Sequence, residues 1–405
     1  MSTGIECPIC GHTKRDWLGD HIVEVHGMSL DAFKTQYPGV PLASDRLIAR
    51  QRDATGNVRR AHPPALTDLT VDMGPLTFEV NYDVPEHVCL PLPPNYQFPR
   101  AGELGKDVSN ALVSLKRGRS IYIWGLPGSG KDALFHAWSA MTRTPAIIKQ
   151  VIPGSDIEGW FFSRGFNEEG TFWEEGDVLK ALRDGYTTQT GRVIPYLLLV
   201  SDLDRADRAQ AEYLRLITDT IKGRISGPTG AVYNVLAGTR VVATANTAGG
   251  GDERGRMISA NPLDGSILDR FDRKYQFHYM EWKDEEPIVK AKFPYLLERA
   301  PWVFDAMGKA TKALRDAVKQ NELYAEFSHR GLCAILEHAE DLLYCADRTK
   351  VPGTLLKMAA RAWIDGLPDQ AARDKARTVM DPHVKGGMVN QGSTAHIGSG
   401  GLADI

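Results

Sequence analysis

Apolar positions along this chain follow two spacings. Between about Tyr96 and Met280, short apolar runs alternate with stretches at helical spacing; the runs are Ser120–Trp124, Ala146–Val151, Tyr196–Val200 and Arg240–Ala245. Continuous runs of this length predict strands buried on both faces, and their alternation with helical stretches predicts a parallel sheet covered by helices. From residue 284 to 380, Ala, Leu, Lys and Arg recur at helical spacing, which predicts a small all-α domain. Residues 1–40 carry a His-rich helical pattern. Residues 41–95 read as loop, because Pro63, Pro64, Pro75, Pro85, Pro91, Pro93 and Pro94 prevent long regular elements. The expected organisation is a small module (1–40), a Pro-rich linker (41–95), an α/β core (96–282), a helical domain (283–380) and a flexible Gly-rich tail (381–405).

Composition narrows the class. A chain of 405 residues is long enough for two or three domains, and 42% hydrophobic with 24% charged residues is ordinary for a soluble globular protein. The net charge of −3 gives no global attraction to nucleic acid, so any such contact must come from a local patch. No 18-residue apolar run is present, so no membrane span is expected. The start, Met1 to Glu6, lacks a basic region followed by an apolar one, so no secretory signal is expected. Five cysteines, an odd number, argue against a disulfide framework and for a reducing compartment. The expected location is the cytoplasm.

The chemistry starts where the run at 121–125 meets a glycine-rich turn. Gly125, Leu126, Pro127, Gly128, Ser129, Gly130, Lys131, Asp132 and Ala133 lead from the strand into a helical run ending at Met141. Glycines let backbone N–H groups cradle a polyphosphate at a helix N-terminus while the lysine neutralises it. The pattern wants Ser or Thr after the lysine, to place a hydroxyl on Mg²⁺; here Asp132 stands in that place. The run Tyr196–Val200 continues through Ser201 to Asp202, an aspartate placed to hold the Mg²⁺ water shell. Asp132 and Asp202 are therefore the candidate magnesium ligands. Val241–Ala245 ends in Asn246, whose amide can orient a lytic water and sense a γ-phosphate. Arg270, in the stretch Ser266–Asp272, lies near the end of the core, where an arginine reaching a neighbouring subunit stabilises charge in phosphoryl transfer.

Together these residues resemble the AAA+ superfamily and its MoxR-like branch, and are similar in particular to the ATPase subunit of cobalt chelatase. The resemblance runs from about Pro85 to Arg330. Pro85–Val88 before Asn95–Phe98 resembles the segment packed near the nucleotide base, which makes Tyr96 a candidate base contact. Asp156–Gly159 followed by Gly170–Gly176 resembles the helix-2 insert, a hairpin projecting towards a ring pore. Gly223–Ile225 and Thr239–Asn246 resemble the hairpin and sensor strand, with Thr247, Gly251 and Asp252 continuing it. Leu268–Phe271 resembles the arginine-finger motif, and Ser328–Gly331 the second sensor, with Arg330 sensing phosphate. The implied fold is an AAA+ P-loop parallel sheet flanked by helices, with residues 283–380 as an all-α lid. The implied assembly is a homo-oligomeric ring, usually a hexamer, with ATP and Mg²⁺ at each interface. The implied work is remodelling of a partner protein, often one carrying a von Willebrand type A domain.

Two departures bear on hydrolysis. AAA+ ATPases usually follow the strand-end aspartate with a glutamate that polarises water, whereas here Leu203 follows Asp202, and then Asp204 and Asp207. Either aspartate could take the base role, or none does. The expectation is slow hydrolysis, raised by glutamate at 203 with threonine at 132. Two readings stand: an ATP-driven motor, and a nucleotide-stabilised assembly with weak or absent turnover. A DNA-linked translocase is a third.

Cys7, Cys10, His21 and His26 supply two thiolates and two imidazoles at spacings that close a tetrahedral Zn²⁺ site, though ten residues between the pairs is short of the usual twelve. The histidines sit a little over one turn apart on a helix expected to begin near Arg15, with Trp17, Leu18, Ile22 and Val25 as its apolar side. His12 reads as a surface loop residue. The stretch to Pro38 resembles short zinc fingers of the Ros/MucR kind, also appended to phage and mobile-element proteins, and this suggests DNA contact. Asp16, Asp20 and Glu24 would repel phosphate, while Lys14, Arg15, Arg50, Arg52, Arg59 and Arg60 offer a local basic strip. DNA binding and protein docking are both open to it. Cys89, Cys333 and Cys345 read as small buried hydrophobes or idle thiols.

Overall fold

A short ribbon of β1 (Ile5–Glu6) and β2 (Thr13–Lys14) precedes helices α1 (Gly19–His26) and α2 (Leu30–Gln36) in the computed structural model. The structure describes residues 5–14, 18–37, 40–42, 70–74, 76–167, 170–251, 260–345 and 354–384. Ser29 caps α2 by accepting from the Ala32 amide. Gly27 ends α1 in the left-handed conformation at φ 62°. Leu18, Ile22 and Phe33 are wholly buried beside Cys7. Val25, expected on this apolar side, is 63% exposed instead. Helices of eight and seven residues make too small a surface to cover it. Trp17, the expected helix start at Arg15, Asp16, and Arg50, Arg52, Arg59 and Arg60 lie outside the described residues.

The proline-rich stretch expected to be loop holds a short antiparallel hairpin, β3 (Thr70–Met73) with β4 (Leu76–Glu79). Met73 and Phe78 alternate inwards, and Phe78 meets Trp138 edge to face at 6.2 Å. Pro63, Pro64 and Pro75 lie outside the described residues. Helix α3 (Gly102–Lys116) then buries Leu104, Val108, Ala111, Leu112 and Leu115, an apolar stripe at helical spacing.

From there strand and helix alternate as the sequence predicts. The main elements are β5 (Ile121–Gly125), α4 (Lys131–Thr142), β6 (Ala146–Gln150), the hairpin β7 (Phe162–Asn167) with β8 (Gly170–Glu175), α5 (Asp177–Asp184), β9 (Leu197–Ser201), α6 (Leu214–Ile221), β10 (Arg240–Ala245) and β11 (Arg273–Phe277). Five of these strands form one sheet in the order β11-β5-β10-β9-β6, and every neighbouring pair is parallel. Side chains leave alternate faces. Ile121, Ile123, Leu197, Leu199 and Val242 pack with Leu134, Phe135 and Trp138 of α4 and with α3. Tyr122, Leu198, Val200, Val241 and Ala243 pack with α5 and α6 on the other side. Burial on both faces is why these strands read as unbroken apolar runs.

The fifth strand, β11, was not visible in the sequence. At the sheet edge only its last residue, Phe277, is buried, so Arg273–Phe277 carries no apolar run. The β7–β8 hairpin stands off the sheet with Phe166 78% exposed, and Arg164 stacks 4.9 Å above Trp173.

The helical domain packs around its own core. It comprises α7 (Trp282–Lys292), α8 (Trp302–Lys319), α9 (His329–Cys345) and α10 (Gln370–Val384), with shorter turns between them. Phe304, Met307, Leu314, Leu332, Ile335, Leu336 and Met380 meet at its centre. Helix α10 continues past the expected boundary at 380, and residues 385–405 lie outside the described residues. Among the described residues, no helix is long and apolar enough to cross a membrane.

Candidate functional site

The phosphate loop is built where β5 hands over to α4. Gly125 runs so close to β11 that a Cβ there would stand 2.1 Å from the Phe277 carbonyl oxygen. Gly128 and Gly130 take left-handed φ values of 75° and 84°, which a side chain would resist. The Ser129 hydroxyl is buried and lacks a hydrogen-bond partner in the structure, a polar atom suited to a ligand inside the loop. Pro127 offers its carbonyl to the Tyr279 hydroxyl at 3.2 Å. Ala133 lies in the first turn of α4.

Lys131 opens α4 and is nearly buried. Its ammonium donates to the Gly125 and Leu126 carbonyls at 2.7 and 3.2 Å and to Asn246 Oδ1 at 3.2 Å. Burial holds Lys131 below the usual lysine range, with Arg330 adding to the effect and Asp132, Asp202 and Asp204 opposing it. The chain thus brings Lys131, Asp132, Asp202, Asn246 and Arg330 together, although they lie on four separate stretches: α4, the ends of β9 and β10, and α9. Around Lys131 the carboxylates of Asp132, Asp202 and Asp204 outnumber the two cations, so a divalent cation beside a bound polyphosphate would offset the excess negative charge. Such an ion, held by Asp132 and Asp202, would neutralise charge on the phosphates.

Each member is oriented by a neighbour. Asp132 Oδ1 accepts from the Thr244 hydroxyl at 2.7 Å. Asp202 Oδ2 accepts from Gln150 Nε2 at 2.9 Å, and Asn246 Nδ2 lies 3.5 Å from Asp202 Oδ1. Gln150 and Thr244 have no motif of their own, and only the pairing of β6 and β10 with β9 brings them in. Tyr96 packs edge to face on Phe98 at 5.1 Å, and burial pushes its hydroxyl up. Asp252 lies outside the described residues.

The stretch after Asp202 is where structure and sequence part. Asp202 itself adopts φ 57° and ψ 43°, a left-handed turn that aspartate tolerates better than most residues. The turn sends Leu203 into the core with Leu198, Val200, Leu214 and Ile217, where it is 1% exposed. Position 203 therefore lies inside the apolar core, a placement that weighs against the expectation that glutamate at 203 with threonine at 132 raises hydrolysis. Asp204 is also fully buried. Its Oδ2 accepts from the Asn246 amide at 3.0 Å, the Thr247 amide at 2.9 Å and the Thr247 hydroxyl at 3.0 Å. Burial pushes its carboxyl up against those bonds, and Asp202 adds to the rise. Asp207 accepts from the Gly154 and Gln210 amides at 3.2 and 2.9 Å. Both aspartates thus hold backbone in place.

Arg270 is held within its own chain, donating to the Thr218 hydroxyl at 2.6 Å and to Asp219 Oδ1 at 3.1 Å. Arg330 is exposed at the start of α9. The preceding Ser328 sits against the phosphate loop so closely that a Cβ on Gly128 would stand 2.8 Å from its own Cβ.

A second centre lies in the N-terminal module. Cys10 Sγ lies 3.2 Å from His21 Nε2, Cys7 Sγ 3.5 Å from His26 Nε2, and the two Nε2 atoms 3.2 Å apart. Zinc bonds of 2.0–2.3 Å in a tetrahedron set ligand atoms roughly 3.3–3.8 Å apart, so the set is compatible with Zn²⁺. His12 is exposed and stacks on the His21 ring at 4.8 Å, outside the group of four.

No protein-family model matches this chain, and neither does any curated protein. Among solved structures, it is similar to a RuvB mutant from Thermotoga maritima at 14% identity and TM-score 0.43, covering 66% of this chain and 73% of that one. The Thermotoga maritima RuvB Holliday junction branch migration motor matches at 14% identity and TM-score 0.39, covering 67% and 70%. A provisionally assigned ATPase from Cytophaga hutchinsonii matches at 13% identity and TM-score 0.31, covering 69% and 89%. The chain's own topology defines the fold: a phosphate loop after the first of five parallel strands, strands in the order fifth, first, fourth, third, second, and a helical domain after the fifth. This is an AAA+ P-loop fold.

Proposed function

We propose that this protein binds ATP with Mg²⁺, assembles as a homo-oligomeric ring of the MoxR-like kind, and uses the nucleotide to remodel a protein or nucleoprotein partner. The observation that carries this reading is the convergence of Lys131, Asp202, Asn246 and Arg330 on one phosphate loop. Asp132 and Asp202 hold the metal ion, Tyr96 walls the base, Asn246 orients the attacking water, and Arg270 serves the neighbouring subunit's nucleotide. The zinc finger recruits the partner, a von Willebrand type A domain protein or DNA. A steady-state ATPase assay with and without DNA tests the reading. Turnover that rises with oligomerisation supports the motor, DNA stimulation points to the translocase, and absence of nucleotide binding overturns it.

The second reading, a nucleotide-stabilised scaffold with weak hydrolysis, is favoured by the burial of Leu203 and Asp204, which leaves neither position able to polarise water. In both readings Asp204 is a positioning residue for Asn246. Asp204→Asn keeps an oxygen acceptor and is expected to retain folding and ATP affinity. Asp204→Ala strands the Asn246 and Thr247 amides, at a cost of about 2–4 kcal/mol. Urea unfolding of both variants checks this, and equal stability of the two would show that the bonds to Asp204 carry no weight.

Zinc belongs to the module and not to the core. Chelation is expected to abolish ordered structure in residues 1–40, because four buried side chains give that module too little core to fold unaided. The main thermal transition is expected to stay. Its loss on chelation would make the finger integral to the core.

A further inference from the structure

Behind Arg330 lies a buried charged cluster that the nucleotide site does not itself use. Glu285, on α7, is wholly buried. Its two oxygens accept from Arg315 of α8 at 2.8 and 3.1 Å, and Oε1 also meets His329 Nδ1 at 2.8 Å. Arg315 reaches further, donating to the Met280 carbonyl at 2.8 Å and to the Phe327 carbonyl at 3.1 Å, while stacking 4.8 Å from the Tyr279 ring. His329 Nε2 lies 3.4 Å from Cys333 Sγ. Cys333 therefore has a partner and is not an idle thiol.

These contacts tie three places together. Met280 and Tyr279 form the connection between the sheet domain and the helical domain, and Tyr279 bonds the Pro127 carbonyl in the phosphate loop. Phe327 and His329 flank Ser328, which packs on Gly128. Arg330 is next in the chain. A buried carboxylate is costly unless every lone pair is engaged, and this one is engaged by residues whose other bonds fix that connection and the start of α9.

We propose that Glu285 and Arg315, acting through His329, are positioning residues that hold Arg330 over the phosphate loop, so that the helical domain distinguishes a nucleoside triphosphate from a diphosphate. The proposal rests on the nucleotide-binding reading given above. An arginine placed by a fixed backbone meets the terminal phosphate only when it is present; ADP lacks that group and gains nothing from the placement. The burial and bidentate geometry of Glu285 suit this role, because guanidinium and imidazole are both directed by one rigid carboxylate.

The test uses full-length protein with Mg²⁺ and calorimetric titration of ATP and of ADP. His329→Gln moves the donor off the Nδ1 position, and is expected to weaken ATP about tenfold while leaving ADP within about twofold. His329→Asn keeps a donor near that position and is expected to recover most of the ATP affinity. Arg330→Ala is expected to show the same split, and His329→Gln on that background to add little, since residues acting through one group are not additive. Equal weakening of ATP and ADP, additive effects with Arg330→Ala, or no rescue by asparagine overturns the positioning role while leaving nucleotide binding intact. Should His329→Gln not fold, Arg315→Lys carries the same comparison, since it keeps the charge but loses the paired bonds. A wild type that binds neither nucleotide overturns both readings.

Discussion

Lys131→Ala is expected to weaken ATP by at least about 100-fold, or roughly 2.7 kcal/mol, and to leave the protein folded. Lys131 is the cation nearest the loop and is directed by two carbonyls of that loop and by Asn246. Its removal leaves Asp132, Asp202 and Asp204 opposed by Arg330 alone, so the site turns from weakly to strongly repulsive towards phosphate. Lys131→Arg is not expected to restore binding. A planar guanidinium cannot meet three acceptors clustered around a compact ammonium. Titration calorimetry with Mg-ATP measures the loss, and a melting curve shows that the sheet survives. Unchanged affinity would place the nucleotide elsewhere or nowhere.

Leu203→Glu has the second large effect, and it falls on stability. The sequence invites the substitution, since a glutamate commonly follows the strand-end aspartate in the family this chain resembles. In the structure the new carboxylate would enter a cluster of Leu198, Val200, Leu214 and Ile217, with no partner for its charge. The lost packing and the buried charge together are expected to cost about 4 kcal/mol or more. Leu203→Met, which keeps the volume, is expected to cost under about 1.5 kcal/mol. Denaturant unfolding separates the two. A Leu203→Glu protein as stable as wild type and faster in hydrolysis would mean that Asp202 does not hold its left-handed turn in solution.

The phosphate loop was legible because its chemistry is local: glycines, a lysine and a helix start stand within nine residues, and backbone geometry alone dictates their order. The three inner strands, β5, β9 and β10, were legible because burial on both faces writes an unbroken apolar run. The same logic hid β11, whose Arg273–Phe277 sits at an edge where one face is wet. It also hid the β3–β4 hairpin, whose four-residue strands are too short to stand out among prolines.

The cysteine–histidine cluster shows both sides of this division. Spacing alone named Cys7, Cys10, His21 and His26, since one short ribbon and one short helix leave few other ways to bring them together. The burial of Leu18 and Ile22 but not Val25 depended on how far α2 reaches, which no periodicity of α1 contains.

By itself the sequence determined which residues could bind phosphate and metal, and the alternation of strand and helix that carries them. Tertiary structure decided what each could do there. Whether position 203 faces water or core depends on one dihedral at Asp202. Whether Asp204 is a base or a brace depends on the amides of Asn246 and Thr247, just past the end of β10 and 42 and 43 residues away. The support behind Arg330 is assembled from α7 and α8, where Glu285 and Arg315 look in sequence like ordinary charges of a solvated helix. Their burial is a property of the packed domain, because desolvation is imposed by neighbours distant in the chain.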